Sequence, residues 1–362
     1  MQIETDRKKK VLICPLNWGL GHASRLIPII KELDKRGYKI LIAGEGNSLK
    51  LLQNEFPAFY FFEFKGLKIK YSKILPLSVV ILLKIPSVIF NIHRERIILN
   101  NMINEYLIDI VISDNRFGLR SKYAKCIYIT HQIAVQMPGI FRPFQRLVYY
   151  IHKSIMKKFD ECWIPDIEEN PGIAGALSHY YKPPDNAKFI GVLSRFTDKN
   201  IEISSFEKYD ILVILSGPEP QRTILEQKIV AQISQTNFKT LIVRGLIDNK
   251  QIFAPENIRF VPHLNTSEMI AAIKNAECVI SRAGYSTIMD LLVLKKNAVL
   301  IPTPGQTEQE YLARFYHKRK IFFYMSQKKF DINIALNNIK EYNNIPEIPD
   351  QNFSFLDSDI FE

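Results

Sequence analysis

Residues 278–313 read CVISRAGYSTIMDLLVLKKNAVLIPTPGQTEQEYLA, and the reading of this stretch decides the fold. The apolar run 278–280 has the character of a strand, and Arg282, Ala283 and Gly284 make a tight turn after it. A helix follows. Ser286 and Thr287 are cap-type residues at its start, and Ile288, Leu291 and Leu292 stand at i, i+3 and i+4 on one face. Asp290 is offset from that face. A second strand at 298–302 leads into a loop of Pro, Gly and amide residues. A strand that feeds a helix through a glycine turn presents free backbone N–H groups and a positive dipole end to an anion. In open α/β sheets, ligands lie beyond the carboxyl ends of the strands. Gly284, Ser286 and Thr287 are therefore candidates for a phosphate and Asp290 for a ribose diol. Gln306, Glu308 and Gln309 are candidates for a polyhydroxylated group.

These residues resemble the donor-binding signature of the MurG-type glycosyltransferases, family 28, whose members have the two-domain GT-B fold. That signature consists of an Arg-x-Gly turn, small hydroxyl residues, an acidic residue on the helix and a later Gln-rich loop. Arg282, Gly284, Ser286, Thr287, Asp290, Glu308 and Gln309 fall on its positions. The family usually has Glu where this chain has Asp290, and Gly-x-Pro where it reads Lys296-Asn297-Ala298. The resemblance implies a UDP-sugar as co-substrate and no further cofactor.

The chain has 362 residues, 47% of them hydrophobic, which is enough for two domains with cores of their own. The N-terminus MQIETDRKKK is polar and charged, unlike a signal peptide. Four scattered cysteines without a Cys-x-x-Cys pair argue against structural zinc and for a reducing, cytoplasmic compartment. A net charge of +11 calls for an anionic partner: nucleic acid, an anionic membrane or a phosphorylated substrate. The resemblance selects the phosphorylated substrate over nucleic acid.

The first half opens with a strand at 11–16, the loop Asn17-Trp18-Gly19-Leu20-Gly21-His22, a helix at 23–36 and a second strand at 38–43. This βαβ unit has a glycine loop at its top. The loop lacks the third glycine of a dinucleotide fingerprint, having Ser24 there. It resembles the GxGH element of GT-B transferases. More specifically, Gly19, Gly21, His22, Ser24 and Arg25 match a GLGHASR-like loop of uncharacterised bacterial and archaeal members. His22 is a candidate general base, since a neutral imidazole accepts a proton near pH 7; the alternative is that it only orients the loop. Asp114, after the strand 108–112, is a second candidate base or an acceptor ligand, and His131 follows the strand 127–130.

The stretch 74–92 is strongly apolar but interrupted by Lys84, Pro76 and Pro86, so it reads as buried helices or as an interfacial patch on anionic lipid. Residues 138–158 form a basic amphipathic segment, read as a solvated face with membrane contact as the alternative. The second half repeats the pattern. A strand at 210–215 ends in a glycine loop where Gly217, Gln221 and Arg222 are candidates for a diphosphate. His263 and Leu264 follow the strand 258–261, where the resemblance places the base.

The expected architecture is therefore α/β: two Rossmann-like domains with parallel sheets facing a cleft, GT-B in type. The boundaries are an acceptor domain at 1–195, a linker at 196–208, a donor domain at 209–330, and a C-terminal helix and tail at 331–362 returning to the first domain. The expected reaction is inverting, metal-independent transfer from a UDP-sugar to a hydroxyl on a glycan or lipid-linked acceptor, at the inner face of a membrane where a peripheral contact is made. A UDP-sugar epimerase of the same fold, an NAD-dependent oxidoreductase with Glu45 on a ribose, and a non-catalytic nucleotide-binding protein are the alternatives.

Overall fold

A computed structural model describes residues 7–66, 85–198, 201, 205–246 and 255–361. The first half runs β1 (Lys10–Cys14), α1 (Leu20–Lys35), β2 (Lys39–Gly44), α2 (Gly46–Glu55), β3 (Tyr60–Glu63), α3 (Ile85–Tyr106), β4 (Ile110–Asp114), β5 (Lys125–Ile129), α4 (Gln145–Met156), β6 (Glu161–Ile164), α5 (Ala176–His179) and β7 (Ala187–Phe189). The second half runs β8 (Ile211–Ile214), α6 (Gln221–Ile233), β9 (Thr240–Val243), β10 (Ile258–Val261), α7 (Thr266–Asn275), β11 (Cys278–Ser281), α8 (Tyr285–Val293), β12 (Ala298–Leu300), α9 (Thr307–Lys318), β13 (Phe323–Tyr324) and α10 (Ile332–Asn338).

Each half builds one sheet of parallel strands. The orders are β3-β2-β1-β4-β5-β6-β7 and β10-β9-β8-β11-β12-β13. The central strands are continuous apolar runs such as Val11–Cys14 and Val111–Ile112, fully buried because helices cover both sheet faces. In both sheets the strand order reverses beside the first strand of the half, between β1 and β4 and between β8 and β11. The crevice at such a reversal is where α/β proteins bind ligands. The loops after β1, β4, β8 and β11 thus define the cleft and carry many of the candidate residues, while His131 follows β5, His263 and Leu264 follow β10, and Gln306, Glu308 and Gln309 follow β12.

Helix α1 starts at Leu20 rather than at residue 23. The turn into it needs Gly19, whose φ is +114°. His22 and Arg25 consequently sit one turn apart at its beginning. The C-terminal reading requires correction. Helix α10 packs on the second domain, with Ile332, Ala335 and Ile339 in the core beside β8 and α6. Only the last residues return: Phe355, Leu356, Ile360 and Phe361 join the core around β1 and α1. Of the apolar stretch 74–92, residues 74–84 lie outside the described residues, and the remainder begins α3. No helix among the described residues is long and apolar enough to cross a membrane.

Candidate active site

The cleft is closed. Helices α1 and α8 meet at their N-termini, where the Ser286 hydroxyl donates to the Gly21 carbonyl at 2.9 Å. Neither helix has an acidic residue in its first turn or a side-chain cap at its N-cap, Gly19 and Gly284 respectively. Two uncapped, positive helix ends therefore converge from opposite domains, which suits a diphosphate. The equivalent end of α6 is different. Glu219 accepts from the Thr223 amide at 3.3 Å, so this chain supplies its own carboxylate there.

The candidate base lies beside this junction. His22 Nδ1 is 3.1 Å from Asp114 Oδ1. Arg25 grips the same carboxylate, donating from Nε to Oδ2 at 2.7 Å and from Nη2 to Oδ1. Asp114 is fully buried. Burial pushes its carboxyl up, but Arg25 and then His22 outweigh this and hold it at about 2. Asp114 is enclosed, with both oxygens engaged by Arg25 and one also facing His22. His22 Nδ1 is also 3.1 Å from Arg25 Nη2. In the tautomer whose Nδ1–H faces Asp114, the Nε2 lone pair of His22 is left for a substrate proton, and the His22 side chain keeps 18% of its surface open. Of the two candidate bases the geometry favours His22.

His131 stands on the far side of Arg25, its Nδ1 3.1 Å from Arg25 Nη1. Its Nε2 is 2.9 Å from Glu308 Oε1, at the start of α9 in the other domain. Gln132 Nε2 donates to the second Glu308 oxygen. The His131 ring stacks on Tyr285 at 4.1 Å and 13°. Burial pushes the His131 imidazole down, against Glu308. Ser24 closes the turn locally, its hydroxyl donating to the Gly21 carbonyl at 3.1 Å.

Other candidates part company with this cluster. Arg222 is buried, with Nε on Glu219 at 2.6 Å and Nη1 on Glu226 at 2.9 Å; its donors are engaged within its own domain. Arg282 is also turned inward, donating to the Ile301, Pro302 and Gln221 carbonyls and to Gln327 Oε1. Burial lowers its guanidinium to about 10. Both arginines brace the second domain, and neither the diphosphate contact expected of Arg222 nor the donor contact expected of Arg282 is supported by what they touch. The Leu264 side chain belongs to the second core. Gln309 is committed to the backbone, its Oε1 accepting from the Thr303 amide at 2.8 Å, while Gln306 is the N-cap residue of α9. Gly217, at φ +97°, lies by the buried Thr303 hydroxyl, which has no partner.

Asp290 is half-buried and accepts from the Ser194 hydroxyl at 2.5 Å. Burial raises its carboxyl to about 6, with Arg195 opposing. Burial also lowers His263 to about 4, with Arg195 adding to the effect. Arg195 itself is 7% exposed, and its Nε and Nη1 have no partner. Sequence reading passed over Ser194, Arg195, Tyr285 and the indole N–H of Trp18, which is likewise buried without a partner. Only the Ser194-Arg195 pair, after Gly191-Val192-Leu193 at the domain crossing, offered a signal. Glu45, considered for a ribose, accepts instead from the Gly66 amide at 2.9 Å.

Residues 211–352 match the glycosyltransferase family 28 C-terminal domain. An uncharacterised glycosyltransferase of Methanosarcina acetivorans is 23% identical over 321 residues, 83% of this chain and 81% of the relative. This chain is a glycosyltransferase of GT-B fold whose second domain matches family 28. A Prochlorococcus marinus UDP-N-acetylglucosamine–N-acetylmuramyl-(pentapeptide) pyrophosphoryl-undecaprenol N-acetylglucosamine transferase is 31% identical over 107 residues, 27% of this glycosyltransferase and 30% of the relative. Among solved structures, the kitacinnamycin glycotransferase matches with a TM-score of 0.63 and 12% identity, covering 93% of this chain and 91% of its own. Acinetobacter baumannii MurG matches with a TM-score of 0.54 and 11% identity over the same shares of the two chains. These two likenesses establish the fold of the glycosyltransferase.

Proposed function

We propose that this glycosyltransferase moves a sugar from a UDP-sugar to an acceptor hydroxyl with inversion at the anomeric carbon and without a metal ion. The observation that carries this reading is the His22–Asp114 pair beside the junction of two uncapped helix N-termini. The acceptor oxygen attacks the anomeric carbon from the first-domain side and His22 Nε2 takes its proton. The bond from the anomeric carbon to the diphosphate oxygen breaks, and UDP leaves with its new charge facing the amides at 285–287 of α8. One displacement of this kind inverts the configuration. Asp290 is placed for the ribose and His263 for the base.

The acceptor is a glycan or a lipid-linked sugar. The Prochlorococcus relative is named for transfer to a lipid-linked acceptor. Helix α4 supports the lipid reading: Leu147, Tyr150 and Ile151 are exposed on one face, with Arg142, Arg146 and Lys153 around them. An apolar face edged with cations suits peripheral contact with an anionic membrane at its cytoplasmic side.

The test is release of UDP from UDP-N-acetylglucosamine, UDP-glucose and UDP-galactose, with proton NMR of the anomeric signal. Transfer or hydrolysis giving the inverted anomer is expected, and His22→Gln lowers the rate about 10²-fold or more. Conversion of the donor to its epimer without UDP release would instead establish the epimerase.

A further inference from the structure

We infer that Glu308 and His131 are positioning residues for the His22 base: across the closed cleft they anchor Arg25 and supply the negative charge that balances the proton His22 takes up. This rests on the transfer reading above. The hydrogen bonds assign the tautomer of His131. His22 Nδ1 lies 3.1 Å from both Arg25 Nη2 and Asp114 Oδ1. Since Arg25 Nη2 already donates to Asp114 Oδ1, we place the Nδ1 proton of His22 on the acceptor-only carboxylate. Arg25 has only N–H donors, so its 3.1 Å contact makes His131 Nδ1 the acceptor. The ring proton is then on Nε2, where Glu308 Oε1 accepts it at 2.9 Å. The opposite side of the guanidinium holds Asp114, and Asp114 holds His22. An unbroken line of alternating donors and acceptors runs from the second domain to the base.

The charges in this line do not cancel. Asp114 and Glu308 are negative, Arg25 is positive and His131 is neutral, so an enclosed cluster carries one excess negative charge until His22 is protonated. Asp114, Arg25 and His131 are 0%, 1% and 3% exposed, so solvent screens that charge weakly. Glu308 and His22 interact electrostatically. Two further titratable groups face the cluster, Tyr285 and Tyr128; burial keeps both phenols protonated, Tyr285 donating to the Pro165 carbonyl at 2.6 Å and Tyr128 to Asn115 Oδ1 at 3.1 Å. Glu308 comes from α9 and the rest of the line from the first domain, so the base is fully supported only when the cleft is shut. Thr307 reinforces this closure, its hydroxyl donating to the Gln136 carbonyl at 2.8 Å. Glu308 thereby serves the acceptor side instead of gripping the donor sugar.

The experiment compares wild type, Glu308→Gln and Glu308→Asp by the pH profile of UDP release from UDP-N-acetylglucosamine, with water as acceptor, and by long-range ¹H–¹⁵N spectra of the histidine rings. In Glu308→Gln the acid limb of kcat/KM moves about half to one pH unit lower and kcat falls about tenfold, while KM stays within about threefold. Glu308→Asp keeps the wild-type limb. The ring of His131 shows the neutral Nε2–H tautomer at pH 7. An unmoved limb with KM raised about tenfold would make Glu308 a sugar ligand and overturn the inference. An Nδ1–H tautomer at His131 would overturn it as well, and that reading needs no turnover. His22→Gln separates the two levels: undiminished UDP release in that variant refutes the base itself, whereas loss there with an unchanged Glu308→Gln refutes only the positioning role.

Discussion

Asp290 carries two opposed predictions. Its carboxyl is raised from 3.8 to about 6, so the fold disfavours its ionised form. For an acid with a raised pKa the penalty is absent below the unfolded value and complete above the folded one. Asp290→Asn therefore stabilises the ligand-free protein by about 1–3 kcal/mol at pH 8 and by little at pH 4, which thermal melts at the two pH values check. A ribose diol donates to the ionised carboxylate. UDP affinity in the wild type thus rises between pH 5 and pH 7, while Asp290→Asn binds more weakly with a flat profile. At Arg282 the expectation is purely structural. Arg282→Ala leaves the carbonyls of Gln221, Ile301 and Pro302 without this donor and costs about 3 kcal/mol or more, measured by denaturant unfolding. The contrast shows what was legible. Gly284, Ser286 and Asp290 could be located because a strand, a turn and a helix fix them within a dozen residues. The inward turn of Arg282 could not, because it depends on Gln327, 45 positions away, whereas the partners of Arg222, Glu219 and Glu226, stand at helical i−3 and i+4 spacing and were there to be read.

At the scale of elements, the decisive contact is α1 against α8. A Cβ at Gly21 would lie 2.9 Å from Ser286 Oγ and 3.2 Å from Ser286 Cβ. Gly21→Ala forces the two helix ends apart, so UDP release falls about tenfold or more while the melting temperature changes little; Gly21→Ala with Ser286→Gly recovers much of the rate. The glycine loop and its helix were readable from Gly19, Gly21 and the apolar spacing of Leu26, Ile29, Ile30 and Leu33. Which glycine mattered for which reason was not. Gly19 serves a positive φ, whereas Gly21 serves a close approach to a helix more than 260 residues away. Helix α10 shows the same limit. Ile332, Ala335 and Ile339 announce an amphipathic helix, but nothing local says which core receives it, and it joins the second domain.

At the scale of the whole molecule, the two sheets with matching reversals of strand order set two loop systems face to face, and this arrangement was foreshadowed by the repeated strand–glycine–helix pattern in the two halves. The network joining them was not foreshadowed, since His131 and Glu308 are separated by 177 positions and by a domain crossing. The outer surface carries its own prediction. Replacing both Leu147 and Ile151 by Glu on α4 abolishes flotation with phosphatidylglycerol vesicles and leaves UDP release from a soluble donor unchanged. The measurement that bears most directly on the central claim is a calorimetric titration of UDP, with GDP, ADP and NAD alongside, into wild type and Asp290→Ala. Saturable heat with UDP, weakened about tenfold or more in Asp290→Ala, is the predicted result. No heat with UDP and binding of NAD or another nucleotide instead would contradict a UDP-sugar site at the start of α8.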